Sequence, residues 1–181
     1  FLRSQLASTD DHVRAWAIRL LVDNPAALAG DAASLRSLTE RAAAESSAFV
    51  RLALASALQR VPLEQRAALA DPLLRRTEDA SDHNLPQMLW YGLEPLADSH
   101  PVSLAELGAA CELPLTRRCI SRRLTQGNES LSSALAILLS KAAANPRLQP
   151  DVLAGMRDAL QGQRNLPAPR GWKDAAPVFA I

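Results

Sequence analysis

The sequence predicts an all-α chain, and three observations carry that prediction. Of 181 residues, 48% are hydrophobic but only 4% are aromatic, so Ala and Leu, both strong helix formers, supply most of the apolar content. The shortage of β-branched and aromatic residues argues against a β-sandwich or barrel. Apolar positions also recur at helical spacing in segments that open on Asp or Ser and are separated by Pro, Asn and Gly.

The opening run, Phe1-Leu-Arg-Ser-Gln-Leu6, reads as part of a helix, with no initiating Met or signal peptide. The expectation is an excised fragment of a longer protein. Three segments then superimpose without gaps. They run from Asp10 to Leu21, from Ser47 to Leu58 and from Asp82 to Leu93, at offsets of 37 and 35 residues, within the range of helical-hairpin repeats. Each opens on a capping residue type. Three residues on stands Val13, Val50 or Leu85, and each copy closes on Leu21, Leu58 or Leu93. The intervening position is Arg14, Arg51 or Pro86; proline is tolerated there because a first-turn N–H has no intrahelical partner to lose.

Partner helices fall between the copies, over 32–44 and 64–77. Asn24-Pro25 and Val61-Pro62 mark turns, since the residue before proline avoids the helical region. Beyond Leu93 the register loosens. Helices are expected near 102–112, 115–125, 129–144 and 150–161, broken at Pro101, Pro114, Gly127-Asn128 and Asn145-Pro146. From 163 to 181 the Pro- and Gly-containing composition reads as an extended tail or linker, with Trp172 expected to dock onto the body.

An Asp or Ser ahead of the Val-Arg pairs, at the second helix of each hairpin, resembles the HEAT-repeat pattern. The resemblance implies a HEAT-like α-α superhelix over 1–162, a right-handed solenoid of helical hairpins. Small residues let neighbouring helices approach, each hairpin buries its apolar stripe against the next, and the arginine is placed to bridge to an acid in the adjacent repeat.

The formal net charge of +1 steers the chain toward neither nucleic acid nor an anionic membrane, and no stretch is long and apolar enough to span a bilayer. Cys111 and Cys119 are too few for a disulfide framework or a zinc site. A helix break at Leu113-Pro114 leaves a bridge between them geometrically open.

The densest polar cluster is Glu78-Asp79-Ala-Ser-Asp82-His83-Asn84, just ahead of Trp90, Tyr91 and Glu94. Asp79, Asp82 and His83 are competent metal ligands, but the spacing fits a capped helix start better, so no metal site is assigned. Asp82, His83, Trp90, Tyr91 and Glu94 are instead the candidate interaction surface. Arg117, Arg118, Arg122 and Arg123 form a weaker basic patch, for which the acidic face of another repeat is the simplest partner. His12 and His83 each follow an Asp, yet no serine or cysteine stands in a nucleophile context. Phosphate-loop, haem-attachment and zinc-protease motifs are absent. No catalytic residue and no cofactor are assigned to this segment.

The run Asp82-His-Asn-Leu-Pro-Gln-Met-Leu-Trp-Tyr-Gly-Leu-Glu-Pro-Leu96 resembles a signature stretch of large exported planctomycete–verrucomicrobial proteins. These are described as membrane-bound dehydrogenases or haem-binding-domain proteins. The helices at 13–21 and 50–60, and the exit through 156–162 and 166–172, are similar to that family's repeats. The resemblance implies an N-terminal β-propeller, HEAT repeats and a C-terminal cytochrome c-like domain, with this chain as the middle part. It would then be a non-catalytic scaffold in a periplasmic or cell-surface redox protein, with the neighbouring domains as partners. Two other readings stand beside it: a free-standing protein-binding module, and a HEAT-like DNA-binding or alkylation-repair protein.

Overall fold

Side-chain oxygens of Asp10, Asn24, Asp31 and Asn128 start some of the helices, and prolines open others. In this computed structural model, which describes residues 1–163 and 167–179, the described residues are helical or irregular and include no strand. They divide into two compact units, Phe1–Leu93 and Glu94–Ile181.

The first unit holds α1 (Leu2–Gln5), α2 (Asp11–Leu21), α3 (Pro25–Ala29), α4 (Ala32–Ala44), α5 (Ala48–Ala57), α6 (Leu63–Leu74) and α7 (Leu85–Leu93). The three repeat copies are therefore α2, α5 and α7, and they pack in that order, α2 on α5 and α5 on α7. The intervening helices α4 and α6 pack on each other, forming a second row. Asp10 takes the His12 and Val13 N–H groups at 2.8 and 3.4 Å, and Asp82 takes those of Asn84 and Leu85, both at 2.8 Å. Both are helix caps, satisfying donors that the first turn leaves free. Ser47 departs from the expectation. Its hydroxyl donates to Asp11 Oδ2 at 2.9 Å and its N–H donates to Glu45 at 2.9 Å, so it ties α5 to α2 and makes no side-chain cap.

The core between the rows is leucine-rich, as the composition implies. Leu38, Leu54, Leu58, Leu69, Leu73, Leu74, Leu85, Leu89 and Leu93 are fully buried, each contributing about 1.5–3 kcal/mol relative to exposure. Arg66 closes one end of this unit: its guanidinium donates to the carbonyls of Val61 at 2.9 Å, Gly92 at 2.8 Å and Gln59 at 3.1 Å. A cation among carbonyls at helix C-termini complements the helix dipoles. Helix α6 ends at Leu74 rather than at 77. It runs through Pro72, whose missing N–H costs only the bond back to the preceding turn, and a single 3₁₀ turn, Thr77–Asp79, follows.

The second unit contains α8 (Leu96–Ser99), α9 (Pro101–Ala110), α10 (Pro114–Thr125), α11 (Glu129–Ala144), α12 (Gln149–Leu160) and α13 (Trp172–Ala175). Here α9 packs on α11 and α10 on α12. The prolines and asparagines named from sequence mark the boundaries: Pro101 and Pro114 open α9 and α10, and Asn128 caps α11 through the Ser130 and Leu131 N–H groups at 3.1 and 3.2 Å. The α10–α12 approach is close because Gly155 has no side chain; a Cβ there would lie 2.3 Å from the Arg118 carbonyl oxygen.

The stretch expected as an extended tail folds back in its described part. Helix α13 packs on α11, Ala175 and Phe179 are buried, and the half-buried Trp172 ring meets Phe179 with centroids 5.9 Å apart. Apolar content at 172, 175 and 179 at helical spacing outweighs the Pro-Gly signal of the residues before it. Arg164, Asn165, Leu166, Ala180 and Ile181, also assigned to the tail, lie outside the described residues.

Candidate functional site

Three buried arginines, Arg14 and Arg51 in the first unit and Arg117 in the second, each meet a carboxylate and a backbone carbonyl. In α2, Arg14 Nε and Nη2 donate to the two oxygens of Glu45 at 3.0 and 2.9 Å, and Nη1 donates to the Ser8 and Thr9 carbonyls at 2.9 and 3.2 Å. In α5, Arg51 Nε and Nη2 donate to Asp79 at 2.6 and 2.5 Å, and Nη1 donates to the Ser46 and Glu45 carbonyls at 2.8 and 3.3 Å. The same nitrogens do the same work one repeat later. The planar fork matches a carboxylate bidentately and leaves a third nitrogen for the backbone.

The second unit carries a related arrangement, with one nitrogen on the carboxylate in place of two. Arg117 of α10 is buried and donates to Asp151 and to the Cys111 carbonyl. Cys111 stands six residues before it, as Ser8 stands before Arg14 and Glu45 before Arg51. Leu113 to Leu124 is thus a fourth copy, offset by 31 residues from Asp82. Sequence reasoning missed it because Leu113 is no capping type and Thr116 replaces the Val of the first two copies. The available signal was the arginine at the fourth place after the start and Leu124 at the close.

Glu45 gathers the densest charge. Burial pushes its carboxyl upward, but hydrogen bonds from Arg14 and the Ser47 N–H, with the charges of Arg14 and Arg41, outweigh that and hold it below the usual carboxylate range. Arg41 Nε stands 3.2 Å from Glu45 Oε2.

The residues singled out from sequence are placed as follows. Asp82 is a cap, and its two backbone hydrogen bonds hold its carboxyl below the usual range. His83 is exposed beside it. On α7, Tyr91 is exposed, whereas Trp90 is half-buried, at the place of the buried Ile18 and Ala55 in the other copies. Glu94 lies in the second unit, where it accepts from Arg123 Nε at 3.0 Å.

Arg123 also donates to Asp98 at 2.7 Å and Arg118 to Asp158 at 2.6 Å. Three of the four arginines of the basic patch, Arg117, Arg118 and Arg123, therefore carry carboxylate partners, while Arg122 is exposed. All of these pairs lie within the second unit.

Asp79 is buried in its pair with Arg51, so it does not join Asp82 and His83 as a ligand set. Among the described residues no group of three or more His, Cys, Asp and Glu side chains is arranged to hold a metal ion. Among the described residues no helix is long and apolar enough to cross a membrane. Both cysteines are free thiols.

The exposed chemistry of the first unit concentrates on α2 and its neighbour α5, a site that sequence reasoning did not mark. The His12 ring lies 4.9 Å from that of Phe49, and the Arg19 guanidinium sits 5.3 Å from the Trp16 ring and 5.8 Å from Phe49. Trp16, Leu20 and Val13 are exposed alongside, lining a shallow apolar trough with Leu2 and Gln5. A tryptophan and an arginine in contact on an apolar surface are the side chains that anchor protein interfaces. Such a surface offers contact area and cation–π attraction.

Comparison with protein-family models, with curated proteins and with solved structures returned no match.

Proposed function

We propose that this chain is a non-catalytic helical-repeat scaffold of HEAT-like α-α superhelix type, a protein-interaction segment of a larger exported redox protein. The observation that carries the scaffold reading is the repeated arginine–carboxylate pair, Arg14–Glu45 and then Arg51–Asp79. A buried bidentate pair reproduced one repeat later fixes the register of successive helices, which is the task of a scaffold.

The redox setting rests on the resemblance of 82–96 and of the repeat helices to the exported dehydrogenase and haem-binding-domain family. In that setting the partners are the flanking domains, the compartment is periplasmic or the cell surface, and the electron chemistry belongs to those domains. The carboxylate partners of Arg117, Arg118 and Arg123 weigh against the DNA-binding reading, since paired arginines have little charge left for phosphates.

The test is the reading frame on either side. A propeller-type stretch upstream and a Cys-x-x-Cys-His downstream are expected. Flanks that encode neither overturn the redox setting and move the free-standing protein-binding module to the front.

A further inference from the structure

In the first unit the copies α2, α5 and α7 stack in order, and the last two show what one side of the helix is for. At the places of Val13, Trp16 and Leu20, helix α5 carries Val50, Ala53 and Ala57, which are 0%, 4% and 2% exposed. Helix α7 carries Leu85, Met88 and Gly92 at those places. A Cβ on Gly92 would lie 2.4 Å from Leu58 Cβ. Gly92 thus sits directly on α5, the preceding copy. On α7 this stripe is the side that rests on the preceding copy, α5. On α2 the same stripe is open: Val13 is 37% exposed, Trp16 58% and Leu20 51%.

From this we infer that the Val13–Trp16–Leu20 stripe is the seat of one more helical hairpin of the same repeat, lying ahead of α2 in the same polypeptide. The inference rests on the helical-repeat reading above and deepens it by naming the face and its occupant. The chemistry of that occupant follows from the interface already present. It presents a leucine where α5 presents Leu58. Small residues stand around that leucine, because Trp16 and Leu20 bring bulk where α5 offers Ala53 and Ala57 to α2. Continuity with the α2–α5 and α5–α7 interfaces selects a repeat hairpin over an unrelated partner. The other free surface of each copy, at His12 and Arg19 on α2 and at Phe49 and Ser56 on α5, stays exposed in both, so stacking leaves it uncovered.

The experiment compares this chain with the same chain extended by the residues its own reading frame encodes upstream, both carrying 5-fluorotryptophan. Three fluorine resonances are expected, for Trp16, Trp90 and Trp172, with Trp16 identified by Trp16→Phe. In the short chain a soluble paramagnetic probe broadens the Trp16 resonance strongly. In the extended chain that broadening is expected to fall at least fivefold, and Trp16→Ala is expected to lower the urea midpoint of the extended chain while leaving the short chain nearly unchanged. Equal broadening in both, with the added segment helical by circular dichroism, overturns this inference and leaves the scaffold reading standing. An added segment without helix overturns the inference and counts against the repeat reading too. A reading frame that opens at Phe1 also overturns it. So does a concentration-dependent dimer of the short chain abolished by Trp16→Ala, which would make a second copy the occupant.

Discussion

Arg14 and Glu45 stand 31 residues apart in the chain and meet through two parallel hydrogen bonds of 3.0 and 2.9 Å in a buried setting. The pair joins the start of α2 to the turn that leads into α5, and Glu45 also receives the Ser47 N–H at 2.9 Å. Removing either partner leaves a buried charge without its counterion, which costs about 3 kcal/mol. Arg14→Ala and Arg51→Ala are each expected to lower the unfolding free energy by about that amount, measured by urea denaturation. Arg122→Ala, on an exposed residue, is expected to stay within about 0.5 kcal/mol of the unchanged chain. Equal small effects at all three positions would show that the buried pairs do not set the register.

The same pair sets a direction for pH. Burial alone would raise the Glu45 pKa, but its hydrogen bonds and cationic neighbours hold it below the ordinary value. The unfolded chain therefore binds protons at this site more readily than the folded one. The stabilisation is fully present above the unfolded carboxylate value of about 4.3 and is lost as pH falls through the folded value. Glu45→Gln is expected to be less stable at pH 7 and to lose less of its urea midpoint between pH 7 and pH 3. It keeps some pH dependence, because Asp31, Asp82 and Asp158 are also held low. Parallel pH profiles for the two chains would remove Glu45 from the acid response.

How much of this was legible in the sequence depended on whether the signal was local. The all-α class, the three copies and most helix boundaries follow from composition, spacing and proline chemistry, which act within a few residues. Asp10 and Asp82 were readable as caps for that reason. Ser47 was not, because its partner Asp11 lies 36 residues away. The fourth copy was hidden for a similar reason: Arg117 looked like surface charge beside Arg118 until Asp151, 34 residues on, came into contact. The exposure of Trp16 was beyond local reach. Nothing in the run Val13 to Leu21 distinguishes an apolar stripe that is covered, as on α5, from one that is open.

The two cysteines are expected to differ sharply as nucleophiles. Cys111 is fully buried, and burial pushes its thiol up to about 11; Cys119 is only half-buried, with its thiol raised by burial as well. Thiolate is the reacting species, so Cys119 should react first with a maleimide or a disulfide reagent at pH 8. Cys111 should react only at the rate of unfolding. Mass spectrometry of partly labelled chain checks this, and labelling of Cys111 at the rate of Cys119 would contradict the packing around α9 and α10.

Gly155 tests the tightest approach in the second unit. A methyl group there meets the Arg118 carbonyl oxygen at 2.3 Å, Ser121 Cβ at 2.8 Å and the Arg122 nitrogen at 2.9 Å. Two of those three atoms are backbone, so α10 and α12 must separate for Gly155→Ala to fit. Separation also strains the Ser121 hydroxyl bond to the Val152 carbonyl, 2.7 Å long, which crosses the same contact. A gain in helix propensity of about 1 kcal/mol works the other way. Overpacking of about 1–3 kcal/mol, with the loss of that buried hydrogen bond, exceeds it. The expected result is a chain destabilised by about 1–3 kcal/mol in urea, with faster amide exchange in α10 and α12. Gly30→Ala is the control. Its Cβ would lie 3.7 Å from the Ala27 carbonyl oxygen, at a backbone geometry open to any residue, so it should be neutral or stabilising by about 0.4–1 kcal/mol. If both substitutions stabilise, α10 and α12 stand further apart than the structure has them.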